Sequence, residues 1–164
     1  DRESVDACGS GAGLAASLAA ATQLGAYRGL ETLAQLVEFD FDRKAYFIRA
    51  APWAIKDAPR MGHRELLVDS ARHFLPVPWL RGVLDAMAYA KLNALHWHLT
   101  DSQSFPVETR RHPSLAREGS WSPAERYSAE DVAEVVGHAT RLGIRVVPEV
   151  DMPGHAGSWC RGIP

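Results

Sequence analysis

The sequence predicts an α/β fold in which strands and helices alternate. Three short apolar segments, at residues 65–68, 93–99 and 144–150, are separated by segments whose apolar positions recur every three or four residues. Connections of this length favour parallel strands joined by right-handed crossovers. Units of this kind build either an open doubly wound sheet or a (β/α)8 barrel, and the residues alone leave both open.

Local signals mark where the two helices begin and end. Pro76 and Pro78 open the first helix, because proline is tolerated in a first helical turn. Ser128 is a good N-cap for the second helix, and Gly143 is placed to stop it. The segment 105–123, with scattered proline, glycine and tryptophan, is predicted to be a loop.

The first 60 residues are predicted to form a separate region. Residues 1–21 show little pattern and are expected to be a loop, whereas residues 22–37 have the apolar spacing of an amphipathic helix. Residues 39–48 alternate as a strand or hairpin does. Pro52 and Pro59 then interrupt the chain, and we place a domain boundary near residue 60.

The composition is that of a soluble globular protein, with 46% hydrophobic residues, 23% charged residues and a net charge of −2. The chain lacks a stripe of basic residues, so the sequence does not predict a nucleic-acid partner. The apolar stretch at residues 11–21 is too short to predict a membrane span. Cys8 and Cys160 are the only cysteines, so one disulfide could form and the redox compartment stays open.

Ionisable side chains lie at the end of every strand of the predicted parallel sheet. They are Asp69, Arg72 and His73 at the first, His96, His98 and Asp101 at the second, and Glu149, Asp151 and His155 at the third. The carboxyl ends of parallel strands meet at one edge, where α/β proteins build their sites. We therefore expect these groups to lie close together.

Two chemistries fit this set of residues. His96 and His98 have the alternate spacing that points both rings to one face of a strand, an arrangement that binuclear metal-dependent barrel hydrolases use. Alternatively, carboxylates and a histidine serve proton transfer while Arg72 holds a polar substrate. Each histidine could equally be a hydrogen-bonded core residue, and spacing does not decide among these interpretations.

Longer motifs then resemble one family, the β-N-acetylhexosaminidases of glycoside hydrolase family 20. The matching segments are HR at 63–64, LLVDSARH at 66–73, MAYAKLN at 87–93, HWHL at 96–99, Asp101, SFP at 104–106, GIR at 143–145 and EVDMPGH at 149–155. Residues 25–33 resemble the last helix of the small domain that precedes the family's barrel. The resemblance covers roughly residues 22–164.

The resemblance implies a fold and an activity. Residues 61–164 would form the first three βα units of a (β/α)8 barrel, and residues 1–60 the C-terminal part of a small α+β domain. The implied reaction releases terminal, non-reducing N-acetylglucosamine or N-acetylgalactosamine from glycans and glycoconjugates. It is a retaining reaction in which the substrate's own 2-acetamido oxygen attacks the anomeric carbon.

The resemblance also implies cofactors, partners and a location. No metal or organic cofactor is expected, which weakens the metal interpretation of His96 and His98. Glycans that end in N-acetylhexosamine are the expected partners, and further copies of the same chain are candidate partners as well. The location would be lysosomal, vacuolar or extracellular.

Residue roles follow by position in the matched motifs. Arg72 resembles the arginine that binds the 3- and 4-hydroxyls of the sugar, for which its fixed fork of donors is suited. Asp101 and His155 resemble the pair that lies behind the general acid and tunes its pKa. His98, Glu149 and Asp151 are expected to support that pair.

The sequence also departs from the family's pattern. The family's adjacent Asp-Glu pair, which orients the acetamido group and supplies the general acid, does not occur in these 164 residues. We therefore expect a fragment that is inactive alone, and three strands cannot close an eight-stranded barrel. Glu65 stands where a small residue, glycine, is expected. A non-catalytic sugar-binding remnant and a metal-dependent barrel hydrolase are the alternatives.

Overall fold

The structure is a computed structural model that describes residues 3–9 and 14–163, with side chains from residue 16 onward. The chain divides into two compact units between Gly62 and His63. In the described residues, no helix has both the length and the apolar character needed to cross a membrane.

In its described residues, the first unit combines one helix with five strands. Its elements are β1 (Glu3–Gly9), β2 (Leu14–Ala20), α1 (Gln23–Leu36), β3 (Val37–Asp40), β4 (Ala45–Ile48) and β5 (Trp53–Asp57). An antiparallel sheet has the order β2-β1-β5, and β3 pairs with β4 as a hairpin. The Thr22 hydroxyl accepts the Gly25 N–H at 3.0 Å and caps α1.

The helix and hairpin of this unit confirm the sequence prediction, but the first 21 residues do not. The prediction of a loop is wrong for residues 3–9 and 14–20, because β1 and β2 lie there, and β5 was not predicted. Residues 1, 2 and 10–13 of that predicted loop lie outside the described residues. The two N-terminal strands are rich in alanine, serine and glycine and lack clear alternation. Pairing with neighbouring strands stabilises them, and these contacts between distant parts of the chain leave no pattern in the local sequence.

The second unit alternates strands and helices as predicted. Its elements are β6 (Glu65–Asp69), α2 (Val77–Tyr89), β7 (Ala94–Thr100), α3 (Pro113–Gly119), α4 (Ala129–Arg141), β8 (Arg145–Val150) and α5 (Trp159–Gly162). The three strands are parallel and adjacent in chain order. The short helix α3 interrupts the segment that was predicted to be entirely loop.

The ends of α4 confirm both predicted signals. The Ser128 hydroxyl accepts the Asp131 N–H at 3.1 Å, and the Asp131 carboxylate accepts the Ser128 N–H at 2.8 Å, which completes a capping box. Gly143 has a φ of 68°, the left-handed conformation that glycine adopts without steric cost after a helix. The start of α4 and the turn into β8 are therefore locally encoded.

Helices α2 and α4 pack on one face of the parallel sheet. The core between them contains Val68, Leu95, Trp97 and Leu99 from the strands, Leu80, Leu84 and Met87 from α2, and Val135 and Ala139 from α4. Tyr127 closes this core: its hydroxyl donates to the Leu75 carbonyl at 2.5 Å, and its ring meets Trp97 edge to face at 5.1 Å.

The opposite face of the same sheet carries the ionisable residues. Side chains alternate along a strand, so Asp69, His98 and Glu149 share one row on this face. Leu67 and His96 share the row before it, and Leu67 is 53% exposed. One face is therefore apolar and covered by helices, and the other carries the ionisable residues together with exposed Leu67.

Candidate functional site

Asp101 is the centre of the cluster at the carboxyl ends of the strands. It directly follows β7 and is only 1% exposed. The Asp101 backbone N–H donates to the Ser104 carbonyl at 2.9 Å, and the Asp101 carbonyl accepts from the Ser158 hydroxyl at 2.6 Å. The Ser102 N–H donates to Oδ1 at 2.6 Å. The carboxylate is thus held in one orientation.

Three nitrogens converge on the other oxygen of this carboxylate. Arg72 Nη2 lies 2.6 Å from Asp101 Oδ2, His98 Nε2 lies at 2.9 Å, and His155 Nδ1 lies at 3.0 Å. Burial alone would raise the pKa of Asp101. The hydrogen bonds from His98, the Ser102 N–H and His155, with the charge of Arg72, outweigh burial and lower it. The group is therefore held as a carboxylate.

His98 lies between two carboxylates. Its Nδ1 is 2.6 Å from Glu149 Oε1, and its Nε2 is 2.9 Å from Asp101 Oδ2. Carboxylates only accept, so both contacts are satisfied when both ring nitrogens carry a proton. Burial works against that charge, but the hydrogen bonds to Asp101 and Glu149 prevail, and the pKa of His98 is raised. Burial likewise opposes the charge of Glu149, yet the bonds from His96 and His98 lower its pKa.

Arg72 is fixed by the strand that precedes it. Its guanidinium contacts Asp69 and Asp101, and its Nε donates to Gln103 Oε1 at 3.3 Å. The backbone N–H groups of Ala71 and Arg72 donate to Asp69 Oδ1 at 3.0 and 3.1 Å. The side chain remains 38% exposed, so solvent reaches part of this fixed arginine.

His155 belongs to the turn after β8. Its φ is 56°, a left-handed conformation that costs a non-glycine residue about 1–2 kcal/mol and that surrounding contacts must hold. Its side chain is 55% exposed although Nδ1 contacts buried Asp101. This histidine therefore joins the buried carboxylate to the accessible surface of the site.

His98, Glu149 and Asp151 each place one ligand-type atom within 4.8 Å of the others. That spacing is compatible with a metal ion. A histidine ligand, however, needs a free lone pair, and both nitrogens of His98 face carboxylates instead. The hydrogen bonds to Glu149 and Asp101 therefore occupy both nitrogens of His98, and neither is left to bind a metal ion.

The structure brings into one cluster the six residues that were given site roles from the sequence: Arg72, His98, Asp101, Glu149, Asp151 and His155. Asp69, Gln103 and Glu65 received no site role from the sequence. Asp69 and Gln103 contact Arg72, and Glu65 contacts His96. The alternation of side chains along a strand could have identified Glu65, since Glu65 and Asp69 are four residues apart and point to the same face. No sequence signal indicates Gln103, because it lies in a loop.

Residues 61–164 match the model of the catalytic domain of glycosyl hydrolase family 20. Over 150 residues the chain is 50% identical to Beta-hexosaminidase 1 of Arabidopsis thaliana, which covers 92% of the chain and 28% of that protein. It is 49% identical to Beta-hexosaminidase subunit B2 of Dictyostelium discoideum, over 88% of the chain and 26% of that protein.

Solved structures of the same family superpose on nearly the whole chain. The chitobiase of Flavobacterium johnsoniae has a TM-score of 0.87 and 36% identity over 99% of this chain and 23% of its own. An exo beta-N-acetylglucosaminidase of Vibrio harveyi, solved with N-acetylglucosamine, has a TM-score of 0.86 and 26% identity. It covers 99% of this chain and 27% of its own.

The chain thus spans about a quarter of the length of the relatives it matches. The matched segment contains the whole carboxylate and imidazole cluster. The family model covers more than half of the chain, and the parallel unit lies entirely within it. The chain belongs to glycosyl hydrolase family 20.

Proposed function

We propose that this chain supplies the first part of the sugar site of a β-N-acetylhexosaminidase, which releases terminal N-acetylglucosamine or N-acetylgalactosamine from glycans. The observation that carries the proposal is the convergence of Arg72, His98 and His155 on the buried carboxylate of Asp101. The named activities of the similar proteins, including one solved with N-acetylglucosamine, support it.

We also propose that residues 61–164 are the first three βα units of a (β/α)8 barrel. The order β6-β7-β8 supports this, because barrel strands follow one another in chain order. Both α2 and α4 pack on one face, whereas a doubly wound sheet places helices on both faces. Residues 1–60 would be the C-terminal part of the small α+β domain.

In this proposal Arg72 binds the 3- and 4-hydroxyls of the terminal sugar with its outward donors. Asp69 and Asp101 hold the guanidinium rigid, so little side-chain entropy is lost when the sugar binds. Asp101 accepts from His155 Nδ1 and leaves Nε2 directed away, toward the proton donor of the reaction. His98, Glu149 and Asp151 hold Asp101 in place.

The proton donor itself would come from an Asp-Glu pair outside these 164 residues. The acetamido oxygen of the substrate would act as the nucleophile, so the reaction requires no metal. Glycans are the proposed partners, with further copies of the chain as a second candidate. The proposed location is lysosomal, vacuolar or extracellular.

A chimeric enzyme tests this function directly. Residues 22–164 of this chain replace the matching segment of Arabidopsis thaliana Beta-hexosaminidase 1, and hydrolysis of a chromogenic N-acetylglucosaminide is measured. We expect an active chimera and no turnover by the 164-residue chain alone. Arg72→Ala should lower kcat/KM about 10- to 100-fold, the size of one lost charged hydrogen bond.

The matched control is Arg81→Ala in α2, whose guanidinium contacts Glu134 on the surface at 3.1 Å. It should leave kcat/KM unchanged. Turnover by the isolated chain would show that the proton donor lies within it. A folded but inactive chimera would show that this segment does not supply the proposed sugar site.

A further inference from the structure

A second set of contacts begins at the opposite end of the parallel strands. Glu65 is the first residue of β6 and points to the same face as Asp69. Its Oε1 lies 3.3 Å from His96 Nδ1, and its Oε2 lies 3.1 Å from His63 Nε2. The other nitrogen of His96 contacts Glu149. Glu65 is therefore connected to the site through one histidine.

Together these contacts form an unbroken series in which imidazoles and carboxylates alternate. Its members, in order, are His63, Glu65, His96, Glu149, His98, Asp101 and His155. Four strand steps separate Glu65 from Asp69, about 13 Å at 3.3 Å per residue. The series thus runs along the sheet from its amino end to the candidate sugar site.

Hydrogen-bond geometry makes the members of this series depend on one another. Each carboxylate only accepts, and each imidazole has two nitrogens on opposite sides, so fixing one nitrogen sets the direction of the other. The two Glu149 oxygens are divided between His96 Nε2 and His98 Nδ1. A change in the orientation of the His96 ring therefore changes the position of Glu149 Oε1, the oxygen that accepts from His98.

Glu65 and His96 are partly exposed to solvent, which determines whether charge or hydrogen-bond orientation couples Glu65 to His98. The side chains of Glu65 and His96 are 28% and 25% exposed, so solvent screens charges that are several residues apart. Direct hydrogen bonds between neighbours persist under those conditions and polarise one another. The coupling is therefore carried by orientation and not by long-range charge. Arg72 lies beside the far end of the series, where it contacts Asp69 and Asp101 rather than His96.

We propose that Glu65 is a positioning residue for the site at the other end of the strands. By holding His96 Nδ1 it directs His96 Nε2 onto Glu149 Oε2 and leaves Glu149 Oε1 for His98. His98 then keeps its contact with Asp101. The meaning of this for catalysis depends on the proposed function, but the coupling itself does not.

Nuclear magnetic resonance of the chain labelled with 15N-histidine tests the coupling without any activity measurement. At pH 5.5 we expect ring N–H signals of His96 and His98 that exchange slowly with water. Glu65→Gly, which installs the small residue of the family's pattern, should abolish the His96 Nδ1–H signal and shift the His98 Nδ1–H signal. His138 Nε2, 2.7 Å from Asp85 Oδ1, is a histidine contact outside the series and should not change.

Two further variants separate hydrogen bonding from bulk and from folding. Glu65→Gln keeps an oxygen acceptor and should retain the His96 and His98 signals. Glu65→Met keeps the length without an acceptor and should lose them, which decides the matter if Glu65→Gly does not fold. The surface variant Glu134→Gln is the matched control.

Two results would overturn the proposal. One is a folded Glu65→Met chain in which the His96 and His98 signals are unchanged. The other is a shift of His138 as large as that of His98, since the change would then be general. An inactive chimera with the expected ring signals would contradict the proposed function and leave this coupling intact.

Discussion

At the scale of single residues, Asp101 concentrates the polar contacts of the site. A carboxylate that is only 1% exposed loses its hydration and needs compensation from protein groups. Two oxygens here receive one backbone N–H, one guanidinium and two imidazoles. Such a group holds its neighbours in place. Removing one partner of a buried ion pair lowers the free energy of unfolding more than removing one partner of a surface pair.

Asp101→Asn tests this compensation. The amide keeps the shape but removes the charge, so Arg72 and His98 lose their shared buried partner. We expect the free energy of unfolding to fall by about 3–5 kcal/mol, measured by urea denaturation.

Asp85→Asn provides the control for that measurement. Asp85 contacts His138 at 2.7 Å but is half exposed, so its loss should cost about 0–1 kcal/mol. Equal costs for the two variants would contradict the view that burial makes Asp101 exceptional.

At the scale of elements, the contact between α3 and α5 depends on a glycine. A Cβ added to Gly162 would lie 2.6 Å from the Leu115 Cα and 2.7 Å from the Ser114 carbonyl oxygen. Backbone atoms cannot rotate away as side chains do. The helix that follows the His155 turn therefore packs at backbone distance against α3.

Two alanine substitutions of opposite sign follow from the glycines. Gly162→Ala should destabilise the chain by about 1–3 kcal/mol, since α3 and α5 must separate. Gly82→Ala, at an exposed position in α2 with nothing within 4 Å of the added Cβ, should stabilise it by about 0.5–1 kcal/mol. Thermal unfolding followed by circular dichroism measures both. Midpoints that move in the same direction would contradict the close packing of α5 on α3.

At the scale of the whole molecule, the paired groups of the site make stability depend on pH. The pKa of His98 is raised, so its contribution is complete below the unfolded-chain value of about 6.5 and is lost as the pH rises through the folded-chain value. The pKa values of Asp101 and Glu149 are lowered. Their contributions are complete above about 4 to 4.5 and are lost as the pH falls through the folded-chain values.

The free energy of unfolding should therefore be largest between about pH 4.5 and 6.5. Urea denaturation at a series of pH values measures it, and His98→Gln should flatten the decline on the alkaline side. A stability that keeps rising to pH 8 would show that the ion pairs of His98 do not stabilise the fold. A maximum in this range would suit an acidic compartment.

Much of the second unit could be predicted from the sequence because its signals are local. Ser128 and Gly143 mark α4, and apolar runs mark the three strands. The positions of Arg72, Asp101 and His155 at the strand ends predict that they lie together, and the structure brings them into contact. The first two strands could not be predicted in the same way, since they are stabilised by pairing with each other, by the pairing of β1 with β5 and by contacts with α1.

The connections inside the site were less predictable than its membership. Spacing put His96 and His98 on one face but could not show that each would lie between two carboxylates. Those contacts depend on the register of β6, β7 and β8, which aligns Asp69, His98 and Glu149 in one row. Register is a property of the assembled sheet, so a single strand does not reveal it.

The contact between Tyr127 and Trp97 has an optical consequence. The two rings lie 5.1 Å apart, close enough for an excited phenol to transfer its energy to the indole before it emits. While the core is intact, ultraviolet light absorbed by Tyr127 emerges as tryptophan fluorescence. When β7 and Tyr127 separate, tyrosine emission should increase, so the helix-covered face of the parallel sheet contains its own reporter of disassembly.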